Sequence, residues 1–234
     1  MTNVSTELEI RTELSTAVSV SVLVITMGGS NTKLTRGETE NYKSLTFLTE
    51  KEVDLCYTKF SKLLSEQQIA ELKSSETVTI NDPKFPVSIP DLIEKLPELK
   101  QNPFARRMCQ VFSRDQNKMF FEDFLDMMSV LSENAPTQVK AEWAFRIFDE
   151  DGDGRLDRKD ISRVVRKMTL EDDQEGDEED ARNDREMQED QLNKVVTQVI
   201  METDINKSES ISLVEFKQMV SKSHDFEDNF RIKL

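Results

Sequence analysis

Apolar residues recur with the period of an α-helix through most of the chain from Leu48 onward. Spacings of three and four residues place each apolar set on one helix face. The pair Thr49 and Glu52 has the pattern of a capping box at the start of the first of these helices. The apolar sets are Val53, Tyr57, Phe60 and Leu64; Phe104, Met108, Val111 and Phe112; and Ile161, Val164, Val165 and Met168. Further helical stretches lie at 124–131, 139–148, 195–201 and 216–220. The pattern predicts an all-α fold.

Proline-containing breaks divide these helices into lobes. The segment 81–90 contains three prolines, and Asn102-Pro103 has the pattern of an N-cap followed by proline. Residues 134–136, Asn-Ala-Pro, indicate a joint between two lobes. We therefore predict an N-terminal lobe at 42–134, a C-terminal lobe at 135–223 and a tail at 224–234.

Residues 1–41 are predicted to form a poorly ordered extension. The apolar run 17–27 alternates valine with serine and is too short for a membrane-spanning helix, which needs about 20 residues. The glutamates that precede it argue against a secretory signal. Residues 27–32 match the M-G-x-x-x-[ST] acylation pattern, so a lipid anchor is expected only if a shorter product begins at Met27.

Residues 149–160 carry the strongest chemical signal in the sequence. They follow the D-x-D-x-D-G pattern of the EF-hand loop, which gathers oxygen ligands around a hard divalent cation. Gly154 at the sixth place permits the sharp turn, and Leu156 is expected to pair with a neighbouring loop. The predicted ligands are Asp149, Asp151 and Asp153, the backbone carbonyl of Arg155, Asp157 through water, and Asp160.

A second loop, residues 204–215, repeats the ligand spacing. Ile211 occupies the place of Leu156, so the two loops are expected to bridge. Glu209 stands where glycine is expected and strains the turn by about 1 kcal/mol or more. We predict a weaker Ca²⁺ site; the alternative is a loop that binds nothing and only partners the first. The predicted ligands are Asp204, Asn206, Ser208, the carbonyl of Ser210, and Glu215.

Two earlier loops are degenerate versions of the same unit. Residues 113–123 are one residue short of the template, and Lys118 is expected to place a positive charge near the ion position. Residues 74–90 lack alternating ligands. The prediction is an EF-hand protein with four helix–loop–helix units in two paired lobes, in which the two N-terminal hands bind no metal.

Composition and charge exclude several classes of function. The 234 residues include 46 acidic and 31 basic ones, a net charge of −15, which argues against a general nucleic-acid binder. One His and two Cys leave too few ligands for most zinc sites and little material for nucleophilic catalysis. We therefore predict no catalytic residues. Cys56 and Cys109 form no CxxC pair, which indicates a reducing, intracellular setting.

Most of the net charge belongs to one segment. Residues 171–190 contain 12 acidic residues and two arginines, a net charge of −10. This composition is typical of a solvated, self-repelling linker. The alternatives are bait for a basic partner or a weak calcium reservoir.

Several stretches resemble the calcium- and integrin-binding protein family. They are Asn102-Pro103-Phe104, Phe112-Ser113, and residues 123–136, 144–149 and 225–234. The resemblance runs from about residue 27 to residue 234. It implies two inactive hands followed by two metal-binding ones, and the family's third hand also ends in Asp. It further implies that the protein binds amphipathic helices of membrane proteins, including integrin tails. The sequence is similar to members that act as auxiliary subunits of transmembrane channel-like mechanotransduction channels.

Paired hands of this kind leave an apolar groove that accepts a partner helix. The groove candidates are Met127, Met128, Met168, Met201 and Met219, although any one of them can simply fill the core. Phe226, Phe230 and Leu234 are spaced four apart, and the resemblance implies that this tail face occupies the groove until a partner displaces it. A cytoplasmic location, peripheral to the plasma membrane through the partner, is expected. The alternatives are a regulatory subunit of a soluble phosphatase or kinase and a calcium buffer.

The last ligand of the first loop generates a prediction about metal selectivity. Asp160 is shorter than the usual Glu and is less able to bind through both oxygens, which lowers the coordination number toward six and suits Mg²⁺. Calorimetry of Asp160→Glu is expected to show weaker Mg²⁺ binding and tighter Ca²⁺ binding. Unchanged affinities for both ions would contradict this assignment.

Overall fold

The apolar periodicities of the sequence correspond to helices in the computed structural model. The structure describes residues 34–74, 80–169 and 180–223, together with Phe226 and Phe230. These residues divide into two units. We call them the N-terminal lobe, which runs to Pro136 and includes Phe230, and the C-terminal lobe, which begins at Thr137 and includes Phe226. The prediction of an all-α fold is confirmed.

The N-terminal lobe is built from seven helices and two short strands within the described residues. They are α1 Arg36–Leu45, α2 Glu50–Ser61, α3 Glu66–Ser74, β1 Val87–Ser88, α4 Ile89–Lys95, α5 Pro97–Lys100, α6 Ala105–Phe112, β2 Lys118–Met119 and α7 Phe121–Val130. The strands β1 and β2 are antiparallel and pair Val87 with Met119. This ladder joins the two loops that the sequence analysis predicts to be degenerate.

The C-terminal lobe repeats this arrangement with longer helices. They are α8 Thr137–Phe148, β3 Arg155–Leu156, α9 Arg158–Thr169, α10 Asp180–Thr203, β4 Ile211–Ser212 and α11 Leu213–Ser221. The strands β3 and β4 are antiparallel, with Leu156 opposite Ile211 and Arg155 opposite Ser212. The predicted bridge between the two C-terminal loops is therefore confirmed.

Side-chain caps fix where several helices begin. The predicted capping box of Thr49 and Glu52 is present at the start of α2, and a second one, formed by Thr35 and Glu38, starts α1. Because this second box lies at residue 35, the predicted extension 1–41 ends too late in the chain. Its residues 1–33 lie outside the described residues.

One other helix start and one linker differ from those predicted from the sequence. The predicted N-cap at Asn102 is wrong because its Oδ1 accepts a hydrogen bond from the amide of Phe104, at 2.8 Å, and forms a turn before α6 begins at Ala105. The segment 171–190 is not a linker throughout, since its residues 180–190 form the first turns of α10. The strong helix formers in α10 explain this helix despite the charge.

Aromatic side chains fill the core of the N-terminal lobe. Phe121 is fully buried and meets the rings of Tyr42, Tyr57 and Phe60 edge to face, with centroid distances of 5.8, 5.7 and 5.6 Å. Edge-to-face geometry adds about 0.5–1.5 kcal/mol per pair beyond the area buried. These contacts anchor α7 against α1 and α2.

Among the described helices, none is both long enough and apolar enough to cross a bilayer.

A buried ion pair in the same lobe generates a prediction about stability. Lys59 Nζ lies 2.9 Å from Glu98 Oε1, with exposed side-chain fractions of 11% and 4%, and Glu98 Oε2 is buried without a hydrogen-bond partner among the described residues. Lys59→Met leaves a buried carboxylate without its cation and is expected to lower the free energy of unfolding by about 3–5 kcal/mol. Denaturant unfolding of the full chain, followed by far-UV circular dichroism, measures this loss.

Lys43→Met provides the matched control. Lys43 lies 2.7 Å from Glu50, but both side chains are about half exposed, so its loss is expected to change the free energy of unfolding far less than the loss of Lys59. The double variant Lys59→Met/Glu98→Gln is expected to recover part of the loss. Equal effects of the two lysine substitutions would contradict the assignment.

Candidate metal centre

The loop between α8 and α9 holds a cluster of carboxylates. Asp149, Asp151 and Asp153 each place one carboxylate oxygen within 4.8 Å of the other two. These are the first, third and fifth ligand positions predicted from the sequence. Three converging anionic oxygens form one side of a cage for a hard cation.

Backbone hydrogen bonds set the shape of this loop. The Asp149 carboxylate accepts hydrogen bonds from the amides of Gly152, at 2.8 Å, and Gly154, at 2.9 Å. Both glycines are in the left-handed region, with φ of 75° and 81°. This backbone conformation disfavours residues with a Cβ, so the two glycines let the loop turn without strain.

Asp160 is the last residue of the loop and is buried. Its side chain is 1% exposed, and burial raises its pKa above the ordinary value for aspartate. Its oxygens accept hydrogen bonds from the amides of Glu150, at 3.3 Å, and Asp157, at 3.2 Å. Arg163 NH1 lies 3.5 Å from Oδ1. A buried carboxylate of this kind gains stabilisation from a nearby cation.

The ninth-place residue, Asp157, has a second role in the structure. Its Oδ1 accepts hydrogen bonds from the amides of Lys159, at 2.7 Å, and Asp160, at 3.0 Å. The carboxylate thus satisfies amides in the first turn of α9, as an N-capping side chain does. Its predicted contact with the ion through water stays a prediction. Taken together, the carboxylates of the third loop fit a hard divalent cation in number, chemistry and convergence.

The fourth loop follows the same backbone path with less suitable residues. The Asp204 carboxylate accepts hydrogen bonds from the amides of Ser208, at 3.0 Å, and Glu209, at 2.7 Å. Lys207 and Glu209 have φ of 59° and 62°, at the positions that Gly152 and Gly154 hold in the third loop. The expected strain at Glu209 is present, and Lys207 is a second strained residue that the loop template does not predict. Each left-handed non-glycine residue costs about 1–2 kcal/mol.

Glu215, the last predicted ligand of the fourth loop, is 6% exposed, and both of its carboxylate oxygens accept hydrogen bonds. Oε1 accepts from the amides of Ile205 and Asn206, at 2.9 and 3.2 Å, and Oε2 accepts from the amide and hydroxyl of Ser212, at 2.9 and 2.6 Å. The hydrogen bond from the Ser212 hydroxyl is the main cause that lowers the pKa of Glu215. The carboxylate therefore stays ionised and fixes the start of α11 as part of a capping box.

An arginine of the third loop reaches into the fourth. Arg155 Nε donates to Ser210 Oγ at 2.7 Å, and its NH2 donates to Ser208 Oγ at 2.6 Å. Ser208 Oγ in turn donates to the carbonyl of Ser210 at 3.0 Å. The sequence predicts a role for the carbonyl of Arg155 but not for its side chain. The sequence signal for this contact is a basic residue at the seventh place, where the loop template uses only the backbone carbonyl and does not specify the side chain.

The second hand has a cationic side chain that is not predicted from the sequence. Arg114 Nε donates to Asp123 Oδ1 at 2.9 Å, and Arg114 NH2 lies 3.2 Å from Glu122 Oε2. Lys118 is exposed, and its backbone pairs with Ser88 in the β1–β2 ladder. Arg114 therefore supplies a positive charge at the last-place carboxylate, and the placement of the Lys118 charge near the ion position stays a prediction. The absence of metal binding in the two N-terminal hands stays a prediction.

The predicted groove methionines lie in different environments. Met127 and Met128 on α7 are 0% and 3% exposed in the N-terminal lobe, whereas Met201 at the end of α10 is 77% exposed. Met168 and Met219 are half-buried. Met219 contributes to an apolar pocket in the C-terminal lobe, whose other lining residues are Phe148, Leu156, Ile161, Val164, Val199, Ile211 and Phe216.

The predicted tail is described at two residues. Phe226 is 5% exposed and belongs to the C-terminal lobe, and Phe230 is fully buried and belongs to the N-terminal lobe. Leu234 and His224 lie outside the described residues. The proposal that the tail competes with a partner stays a prediction.

Comparison with known proteins agrees with this geometry. The family model "EF-hand domain pair" matches residues 138–221, which contain both C-terminal loops. The chain is 32% identical over 209 residues to "Calcium and integrin-binding family member 2" of Drosophila melanogaster, a match that spans 89% of this chain and all of that relative. The Danio rerio protein of the same name and "Calcium and integrin-binding family member 3" of Homo sapiens are also 32% identical, with the same coverage.

The carboxylate cluster of the third loop generates a prediction about metal affinity. Asp151→Ala removes one oxygen ligand from an exposed position, so it is expected to weaken Ca²⁺ binding at the tighter site by about tenfold or more while the fold is kept. Calorimetric titration of the full chain measures the change. Glu150→Ala is the matched control, because it removes the same charge from an exposed, non-ligand place in the same loop. Equal losses for the two variants would indicate a diffuse charge effect rather than a ligand.

Proposed function

The chain belongs to the calcium and integrin-binding family, and on that premise we propose that it is a non-enzymatic regulatory adaptor that binds Ca²⁺ and Mg²⁺. The third hand is the principal metal site, and the fourth hand is a weaker Ca²⁺ site. The observation that carries the proposal is the convergence of Asp149, Asp151 and Asp153 in a loop that is joined to its partner loop by the β3–β4 ladder.

The ladder is the route by which metal binding reaches the rest of the lobe. Leu156 and Ile211 are 3% and 1% exposed, and both line the apolar pocket of the C-terminal lobe. Asp160 and Glu215, the last-place carboxylates, lie in the first turns of α9 and α11. An ion bound in the third loop would supply positive charge beside the Asp160 carboxylate at the start of α9. A shift of Asp160 would carry α9 with it, and sensor EF-hands open their helix pairs in this way.

The pocket marks the place where a groove for a helical partner would open. Among the described residues its lining is apolar, and an amphipathic helix inserts its apolar face into a groove of this chemistry. Met219 supplies a flexible side chain at the wall, and such side chains adapt to different partners. We propose that the partner is an amphipathic cytoplasmic helix of a membrane protein, either an integrin tail or a transmembrane channel-like mechanotransduction channel. The protein then lies at the inner face of the plasma membrane through this partner.

Peptide binding tests the proposal directly. Synthetic helices from integrin tails and from the cytoplasmic segments of transmembrane channel-like proteins are titrated into the full chain in Ca²⁺, in Mg²⁺ and in EDTA. We expect at least one of these peptides to bind with a Kd of about 1 μM, and about tenfold more weakly in EDTA, because the ion shapes the groove. Asp151→Ala is expected to reproduce the EDTA result in Ca²⁺.

A pair of variants separates groove contacts from general effects. Met219→Glu places a charge at the wall of the pocket, and Met201→Glu places one on a side chain that is 77% exposed and is not a lining residue of the pocket. Only the first variant is therefore expected to weaken peptide binding. If no peptide binds and Ca²⁺ exposes no apolar surface to a fluorescent dye, the protein is a calcium buffer. Co-purification with a soluble kinase or phosphatase would instead identify an enzyme subunit.

A further inference from the structure

We propose that the Arg155 side chain acts as an internal cation of the fourth loop, which it keeps ordered without metal and in which it weakens Ca²⁺ binding. The proposal rests on the proposed metal-binding function and adds the residue that sets the balance between the two sites. It concerns the guanidinium alone, since the carbonyl of Arg155 is a predicted ligand of the third loop.

The first support is the position of the guanidinium. Its Nε and NH2 donate to the hydroxyls of Ser210 and Ser208, at 2.7 and 2.6 Å. Ser208 is the fifth-place residue of the fourth loop, so the hydroxyl that a Ca²⁺ ion needs is already accepting from a cation. The Ser208 hydroxyl also donates to the Ser210 carbonyl, at 3.0 Å. Both the fifth-place and the seventh-place oxygens are thus occupied by one hydrogen-bonded network that begins at Arg155.

The second support is the rigidity of the arrangement. Arg155 lies on β3 directly opposite Ser212 on β4, so the ladder fixes the root of its side chain beside the fourth loop. A guanidinium is planar and carries its donors in a fixed fork, and this fork matches two neighbouring acceptors better than an ammonium does. Arg155 is half-buried, and Ser210 is 7% exposed. Screening by solvent is therefore reduced at the contact with Ser210, whereas Ser208 is exposed.

The third support is the weak charge of the fourth loop itself. Its predicted side-chain ligands carry two negative charges, from Asp204 and Glu215, whereas the third loop has acidic side chains at all five of its side-chain ligand places. Ligand charge is a main determinant of Ca²⁺ affinity in EF-hands. The Arg155 guanidinium changes the formal charge of this set from −2 to −1, which weakens the attraction that the loop offers to a cation.

The second hand shows that an arginine can take this role in the same chain. Arg114 donates to the last-place carboxylate of Asp123 and also pairs with Glu122. That guanidinium comes from its own loop, whereas Arg155 comes from the neighbouring loop. In both cases a cation of the chain meets oxygens at ligand places of the loop.

Calorimetry of Arg155→Met tests the proposal on the full chain with Ca²⁺ as the only titrant. The substitution keeps the backbone carbonyl and removes the guanidinium. We expect the weaker binding event to tighten by about tenfold or more, or to appear where none is seen in the parent protein, while the tighter event changes by less than about threefold. In EDTA, the thermal midpoint of the variant is expected to fall, because Ser208 and Ser210 lose their donor.

Two further variants make the result specific. Arg158→Met removes the same charge three residues further on, from an exposed guanidinium that donates to Thr197 Oγ1 at 3.1 Å, and is expected to change neither event. Arg155→Lys keeps the positive charge but lacks the planar fork of donors. The Ca²⁺ affinity of its weaker binding event is therefore expected to lie between those of the parent protein and Arg155→Met. This variant also tests the proposal if Arg155→Met folds poorly. The proposal is overturned if the weaker event is unchanged or weaker in both Arg155 variants, or if Arg158→Met tightens it equally. If the parent protein shows no tighter Ca²⁺-binding event at all, the proposed function is refuted instead.

Discussion

Oxygen ligands that converge in a loop repel one another unless a cation lies among them, and this constraint governs each loop described above. Carboxylates and hydroxyls that are withdrawn from water also lose hydration, which must be replaced by protein donors or by an ion. The third loop meets the requirement with three converging carboxylates that fit a divalent cation. The second and fourth loops meet it with arginine side chains, Arg114 from within the loop and Arg155 from the neighbouring one. The loops therefore share one geometry and differ in the source of the positive charge.

The strand ladder makes the two C-terminal loops interdependent. Leu156 and Ile211 pair across it and are buried, so neither loop can move without disturbing the apolar pocket beneath. Arg155 belongs to the same ladder and connects the chemistry of one loop to the other. This arrangement explains why the fourth loop keeps its shape despite left-handed residues at Lys207 and Glu209. The strain is tolerated because the ladder, the Glu215 capping box and the guanidinium over-determine the backbone.

The local parts of the site could be predicted from the sequence, and the parts that depend on distant neighbours could not. Spacing alone located Asp149, Asp151 and Asp153, since alternate residues of a tight loop face a common centre. The pairing of Leu156 with Ile211 followed from equal positions in two loops. The side chain of Arg155 was missed because its acceptors lie 53 and 55 residues away. A one-dimensional pattern does not show which neighbour a side chain will reach.

The same limit applies to the helices. Periodicity showed which residues share a face but not what that face meets, so Met127 and Met201 were grouped although one is fully buried and the other is 77% exposed. Composition also misled at residues 180–190, where charge suggested a linker and the residues form the start of α10.

The use of arginines in place of ions has a consequence for how the protein responds to metal. A loop that is held by its own cation is folded at any metal concentration, and it therefore gives its partner loop a fixed surface to pair with. When the third loop binds an ion, its partner loop stays in place. The movement of the third loop therefore displaces α9 and does not merely displace the fourth loop. An adaptor needs this combination, because a groove that metal binding opens requires one loop that stays in place and one loop that moves. The β3–β4 ladder, with Arg155 opposite Ser212, is where the constant loop and the responsive loop meet.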